Sequence, residues 1–274
     1  MSISLIAVDI DGTLLNGNSE LSIENLEAIK RLSKRGIMTV PVTGRTYNEI
    51  PQTLRSCEDI QYFVYSNGSG IYEKGRGTVY SSIVPAETAK EIFLLLNSYE
   101  TYIEIYSGGY PWADVKKINE ECFDYYRINP KFRKVIYRSR RPVEDFYSDI
   151  ERGRLQPELF DVFFRHMGER AECNEKLKVR FPYEEVVSSM GNNLEIMNKG
   201  TDKGTGLLRL CNTIGVDVKK TIAIGDSGND LAMFKAAGAC YAVSNASNEL
   251  KEISTEIICS NDEHVIEYAE KNLL

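Results

Sequence analysis

Apolar residues first gather in short unbroken runs separated by amphipathic stretches. Residues 4–9 form one run, IMTVPV (37–42) a second and YFVYS (62–66) a third. Between the first two, SIENLEAIKRLSKRG (22–36) places Leu26, Ile29 and Leu32 at helical spacing, with Ser22 where an N-cap belongs and Gly36 at the end. Residues 46–56 also predict a helix, with Pro51 complicating its middle. Strands that are apolar along their length and alternate with helices predict a parallel sheet covered on both faces.

The pattern then changes. From 82 to 187 the chain is rich in Tyr, Phe, Arg and Glu, and TYIEIYS (101–107) and LFDVFFRH (159–166) read as strands among helices at 86–98, 116–128 and 169–178. Pro85 and Pro182 lie near its ends, where linkers are expected. This stretch predicts an inserted α+β domain, dividing the core into residues 1–81 and 188–274. The alternation returns with NLEIMNKG (193–200), a helix at 203–214, a buried strand TIAIGDS (221–227), a helix at 229–237 and a strand CYAVSN (240–245). A helix at 247–253, a short strand at 256–259 and a last helix from 262 follow.

Composition narrows the function. A chain of 274 residues with a net charge of −7 repels a nucleic-acid backbone, so an anionic small substrate needs a local cation. The six cysteines form no CxxC pair and no zinc spacing, and read as reduced thiols of a cytoplasmic protein. The N-terminus MSISLIAVDI lacks the features of a signal peptide, and no apolar run approaches a membrane span.

In an open parallel sheet, ligands bind beyond the carboxyl ends of the strands. Four clusters fall at that edge: Asp9 and Asp11 after the first strand, Thr43-Gly44-Arg45 after the second, Asn67-Gly68 after the third, and GDSGND (225–230) after a late one. Each alone reads as a turn or a cap. Together they bring four carboxylates, Asp9, Asp11, Asp226 and Asp230, against Lys203 at the start of a helix. Like charges so close demand a hard divalent cation, and Mg²⁺ suits a few carboxylates plus substrate phosphate oxygens. Thr43, Asn229, Lys203 and the amides around Gly12 and Gly44 are donors for an anion. Oxygen ligands beside anion donors describe phosphoryl transfer. Walker A, EF-hand, GxSxG and GxGxxG patterns are absent, and His166 and His264 read as ordinary residues.

The set DIDGT, VTGR, SNG, DKGTGL and GDSGND, in this order, resembles the haloacid dehalogenase superfamily. An insertion after the third strand resembles its Cof-type subfamily IIB, with the α+β cap called C2B. The resemblance implies an α/β fold with a Rossmann-like parallel-sheet core and an inserted α+β cap. It implies that Asp9 is the nucleophile and that Asp11 protonates the leaving oxygen and then activates water. Mg²⁺ would be held by Asp9, the backbone carbonyl of Asp11 and Asp226, with Asp230 in support; Thr43, Gly44, Lys203, Asn229 and the amide of Ile10 would grip the phosphate. Two departures stand out: Pro41 in the second strand, and Lys199 as a competitor to Lys203. Lys203 is preferred because it opens the helix directly.

The expected activity is a Mg²⁺-dependent phosphatase of a small phosphorylated metabolite, chiefly a sugar phosphate, with no nucleic-acid or membrane partner. A phosphomutase and a non-catalytic phospho-acceptor are the rival readings. Asp11 opposes the last, because a stable aspartyl phosphate is better served without a second acid poised for hydrolysis.

Overall fold

The structure, a computed structural model, describes residues 3–188 and 191–274 and omits the side chains of residues 131 and 132. The chain forms two compact units. The first comprises Met1–Arg45, Ile50–Tyr80 and Asp202–Leu274, the second Thr46–Glu49 and Ser81–Thr201. No helix among the described residues is long and apolar enough to cross a membrane.

The first unit holds the parallel sheet. Its strands run in the order Glu256–Ile258, Ala239–Val243, Thr221–Gly225, Leu5–Val8 and Met38–Pro41. Leu5–Val8 is flanked on both sides, with Val8 opposite Ile224 and Pro41, and all four of its residues have no exposure. Such burial explains why the strand reads as an unbroken apolar run. Pro41 is accommodated, and the amide after it, from Val42, bonds the carbonyl of Val8. A bridge from Val42 to Val64 reaches the strand Tyr62–Tyr65, which continues into an antiparallel sheet with Gly70–Glu73 and Gly77–Ser81. Ser22 caps the helix Ile23–Lys34 by accepting from the amide of Asn25. Near Pro51 the expected single helix becomes a 3₁₀ turn, Tyr47–Glu49, and a separate helix, Gln52–Ser56.

The second unit is built on a six-stranded sheet in the order Glu184–Val187, Asn193–Asn198, Leu159–Phe164, Thr101–Ser107, Tyr110–Asp114 and Arg141–Val143. One face carries Ile103, Ile105, Phe160, Val162, Leu194 and Ile196 in a common core with residues of the helices Ala86–Leu96 and Met167–Arg180. The alternate positions place a row of acids across three neighbouring strands: Glu104 lies opposite Asp161, and Asp161 opposite Glu195. All three are buried. Arg140 clasps Glu104 at 2.8 and 2.6 Å and also binds Glu49, while the Asn193 amide donates to Asp161 at 2.9 Å and to Glu195 at 3.3 Å. Burial, then Glu195 and Glu104, holds the Asp161 carboxyl well above the usual range.

The second unit runs past the predicted boundary at 187. The strand Asn193–Asn198, expected to begin the returning core, instead pairs with Leu159–Phe164 and Glu184–Val187. Its alternation carries the reason: Leu194 and Ile196 enter the apolar core, while Asn193 and Glu195 sit on the polar face. Such a period suits an antiparallel sheet with two unlike faces. The helix expected over 116–128 is Glu120–Tyr125, and a second helix, Pro130–Ser139, follows it.

Candidate active site

Three of the predicted acids and the predicted lysine meet at the carboxyl edge of the first unit's sheet. Asp9 follows Leu5–Val8 and Asp226 follows Thr221–Gly225, so the parallel pairing of these strands delivers both to one edge. Lys203 is the first residue of the helix Lys203–Ile214, whose N-cap Asp202 forms a capping box with Thr205. The glycines after Lys203 let that helix approach closely. A Cβ on Gly204 would lie 2.2 Å from the carbonyl oxygen of Ala232, and one on Gly206 would lie 2.8 Å from Cα of Gly68.

The Lys203 ammonium, 1% exposed, donates to Asp9 Oδ1 at 2.6 Å, Asp230 Oδ1 at 2.7 Å and Asn229 Oδ1 at 3.1 Å. Lys199, the competitor, instead donates to the carbonyl of Pro182 at 3.3 Å. Asp230 Oδ2 accepts from the amides of Asp226 and Ser227 at 3.0 and 3.1 Å, so this carboxylate both shapes the loop and anchors the lysine. Thr13 donates to Asp226 Oδ1 at 3.2 Å. Gly12, with φ of 76°, makes the turn between Asp9 and Thr13, and a Cβ there would meet Asp226 Oδ2 at 2.6 Å.

Burial raises the Asp9 carboxyl well above the usual range; Lys203 opposes this, while Asp230, Asp11 and Asp226 add to it. Burial and Asp230 push Asp226 up to about 6. For Lys203, burial works against the charge, but Asp230 and Asp9 outweigh it and hold the ammonium above the ordinary lysine value. One lysine therefore does not satisfy the set. Oxygens of Asp9, Asp226 and Asp230 all lie within 4.8 Å of one another. An all-oxygen, acid-excess group of that size fits a hard divalent cation.

Asp11 does not join this cluster. Its side chain is 52% exposed and is held by Arg45, whose Nε and Nη2 donate to Oδ2 and Oδ1 at 2.7 and 2.6 Å. Of the four acids expected to converge, three group together, two of them on Lys203, and the fourth is paired with an arginine. The turn that carries Asp11 sends its side chain elsewhere: φ,ψ of −84°, 122° there are extended, not helical.

Of the predicted anion donors, Lys203 contacts Asp9 and Asp230 and holds Asn229, while Thr43 and Gly44 follow the end of the strand beside Leu5–Val8. Thr43 is buried, and its Oγ1 accepts from the amide of Arg45 at 3.1 Å. Gly44 lies against Asn67, whose Oδ1 would be 3.1 Å from a Cβ there. Asn229 Nδ2 points to the same Oδ1 at 3.4 Å. The Ile10 side chain is in the core, which leaves its backbone for any role at the site. Sequence reasoning gave no role to Arg45, Asn67 or Asn245. Asn245, just past the strand Ala239–Val243, donates to the carbonyl of Gly12 at 2.8 Å and so fixes the Asp11 turn. Its local sequence, VSNAS, offers no signal beyond a turn.

A parallel α/β sheet that gathers acids, a buried lysine and anion donors at its carboxyl edge is the framework of a phosphoryl-transfer enzyme. The chain belongs to the haloacid dehalogenase-like hydrolase family, which it matches over residues 6–269. It is 31% identical to the 5-amino-6-(5-phospho-D-ribitylamino)uracil phosphatase YwtE of Bacillus subtilis, over 98% of this chain and 97% of that one. It is 28% identical to the phosphatase YwpJ of the same organism, over 98% and 99%. A haloacid dehalogenase-like hydrolase from Bacteroides thetaiotaomicron superimposes with a TM-score of 0.84 at 25% identity, covering 100% of both chains. The chain is an enzyme of the family's phosphatase class.

Proposed function

We propose that the protein is a Mg²⁺-dependent phosphatase that hydrolyses a small phosphorylated metabolite, with a sugar or polyol as the leaving alcohol, through an aspartyl phosphate on Asp9. The observation that carries this reading is the buried Asp9 carboxylate, fixed at a strand end by Lys203 within a group of three acids. A nucleophile so placed needs no reorientation to meet phosphorus.

Asp9 attacks phosphorus as the ester P–O bond breaks. Asp11 gives a proton to the departing alcohol oxygen, then takes one from the water that cleaves the aspartyl phosphate. Thr43, Gly44, Asn229, Lys203 and the amide of Ile10 hold the phosphoryl oxygens. Asp9, Asp226 and the backbone carbonyl of Asp11 would hold Mg²⁺. Asp230, already engaged by Lys203 and two amides, supports them from behind. Bound there, Mg²⁺ supplies positive charge against the phosphate and against the carboxylates that repel it. The polyol preference draws on the ribityl phosphate named for YwtE.

The test is steady release of inorganic phosphate from a panel of hexose, pentose and polyol phosphates, including that relative's substrate. A subset should turn over with Mg²⁺ and stop in EDTA. Full activity in excess chelator, or transfer between substrate positions without phosphate release, contradicts the proposal.

A further inference from the structure

Asp11 is the exposed acid of the site, and its side chain has one partner among the described residues, Arg45. The pair is a two-point fork, one nitrogen to each carboxylate oxygen, which fixes the carboxylate plane as well as its place. Arg45 is itself anchored. Its amide donates to Thr43 Oγ1 at 3.1 Å, and its carbonyl accepts from the amide of Ser66 at 2.8 Å. Ser66 and the next residue, Asn67, are both left-handed, with φ of 49° and 51°. A strained turn therefore holds the backbone from which the guanidinium reaches Asp11. The backbone under Asp11 is fixed in turn by Asn245 on the Gly12 carbonyl. Both ends of the fork are anchored by hydrogen bonds, although the fork itself is near solvent, where an ion pair contributes little to the fold.

We propose that Arg45 is the positioning residue of Asp11: it aims the carboxylate that moves protons, and it acts on the reaction through Asp11 rather than by gripping phosphate. This rests on the acid–base reading of Asp11, which Asp11→Asn alone examines. That variant should lose about 10² to 10⁴ in rate with a sugar phosphate and far less in the first transfer from an aryl phosphate, whose phenol leaves unaided.

The experiment is a double-variant cycle with Arg45→Ala, Asp11→Asn and the pair together, in full-length protein with Mg²⁺, on one sugar and one aryl phosphate. Arg45→Ala should lower kcat for the sugar ester roughly 10- to 100-fold with little change in KM, because alignment of a proton carrier carries that much of its benefit. With the aryl ester, rapid mixing should give a burst of phenol followed by slow turnover. The double variant should be no slower than Asp11→Asn. Arg45→Lys keeps the charge but not the two-point fork, and should recover only part of kcat. The inference is overturned if Arg45→Ala raises KM for both esters alike, if its loss multiplies with that of Asp11→Asn, or if Arg45→Lys is fully active. If Asp11→Asn slows both esters equally and gives no burst, the acid–base reading itself falls.

Discussion

Replacing Lys203 by methionine keeps the length of the stem and removes the ammonium that separates Asp9 from Asp230. The side chains of all three are 5% exposed or less, so water cannot take the place of the lost charge. Breaking a buried pair from one side costs about 3 to 5 kcal/mol. In a protein of this size each kcal/mol moves the midpoint by about 2 to 4 °C, so melting of the first unit should fall by about 6 to 20 °C. The loss depends on pH in a defined direction. Burial raises the folded Asp9 pKa above its ordinary 3.8, so as pH falls toward that value protons can replace the lysine charge. The deficit should shrink in acid and be full where the carboxylates are ionised. Mg²⁺ should restore more of the midpoint in the variant than in the parent. Calorimetry with and without Mg²⁺ reads both. A variant that melts within about 2 °C of the parent across pH 5 to 8, indifferent to Mg²⁺, would refute the claim that Lys203 holds a repelling acid group together.

Asp226 has a folded pKa raised to about 6, so a cation must displace its proton below that pH. The Mg²⁺-induced rise in melting temperature should therefore grow between about pH 5 and 7, and a flat response would contradict the assignment. In the second unit, Asp161 stands between two other buried acids, and its raised pKa means that its charge costs stability increasingly as pH climbs above the unfolded value. Asp161→Asn should stabilise by about 1 to 2 kcal/mol at neutral pH and by nothing near pH 4, checked by denaturant titration at both. Gly204→Ala drives a Cβ to 2.2 Å from the Ala232 carbonyl oxygen, so the helix that carries Lys203 must shift. It should cost about 1 to 3 kcal/mol and lower kcat as well, and a variant with parental kcat would show that this close approach does not matter.

Much of the core was legible because strands covered on both sides must be apolar throughout, which marks Leu5–Val8 and Thr221–Gly225 plainly. Caps were legible for the same local reason, as at Ser22. The strand Asn193–Asn198 pairs within the second unit and not with the returning core, because a short apolar stretch announces a strand but not its partners; its alternating polarity is the available clue. The helix Pro130–Ser139 had its signal too, a proline at the first position. At the site, Asp9, Asp226, Asp230 and Lys203 could be found because each ends a strand or begins a helix at one edge. The pairing of Asp11 with Arg45 could not. The two are 34 positions apart, and which way a side chain leaves a turn depends on φ and ψ, not on spacing.

The most direct measurement of the central claim is the chemistry of residue 9 itself. Asp11→Asn protein with Mg²⁺ is mixed with an aryl phosphate, quenched in acid within the burst and treated with borohydride, which reduces an acyl phosphate to the alcohol. Peptide mass spectrometry should then find homoserine at position 9 in proportion to the phenol released. Phenol release with Asp9 intact, or with the reduced residue anywhere else in the chain, would contradict phosphoryl transfer through Asp9.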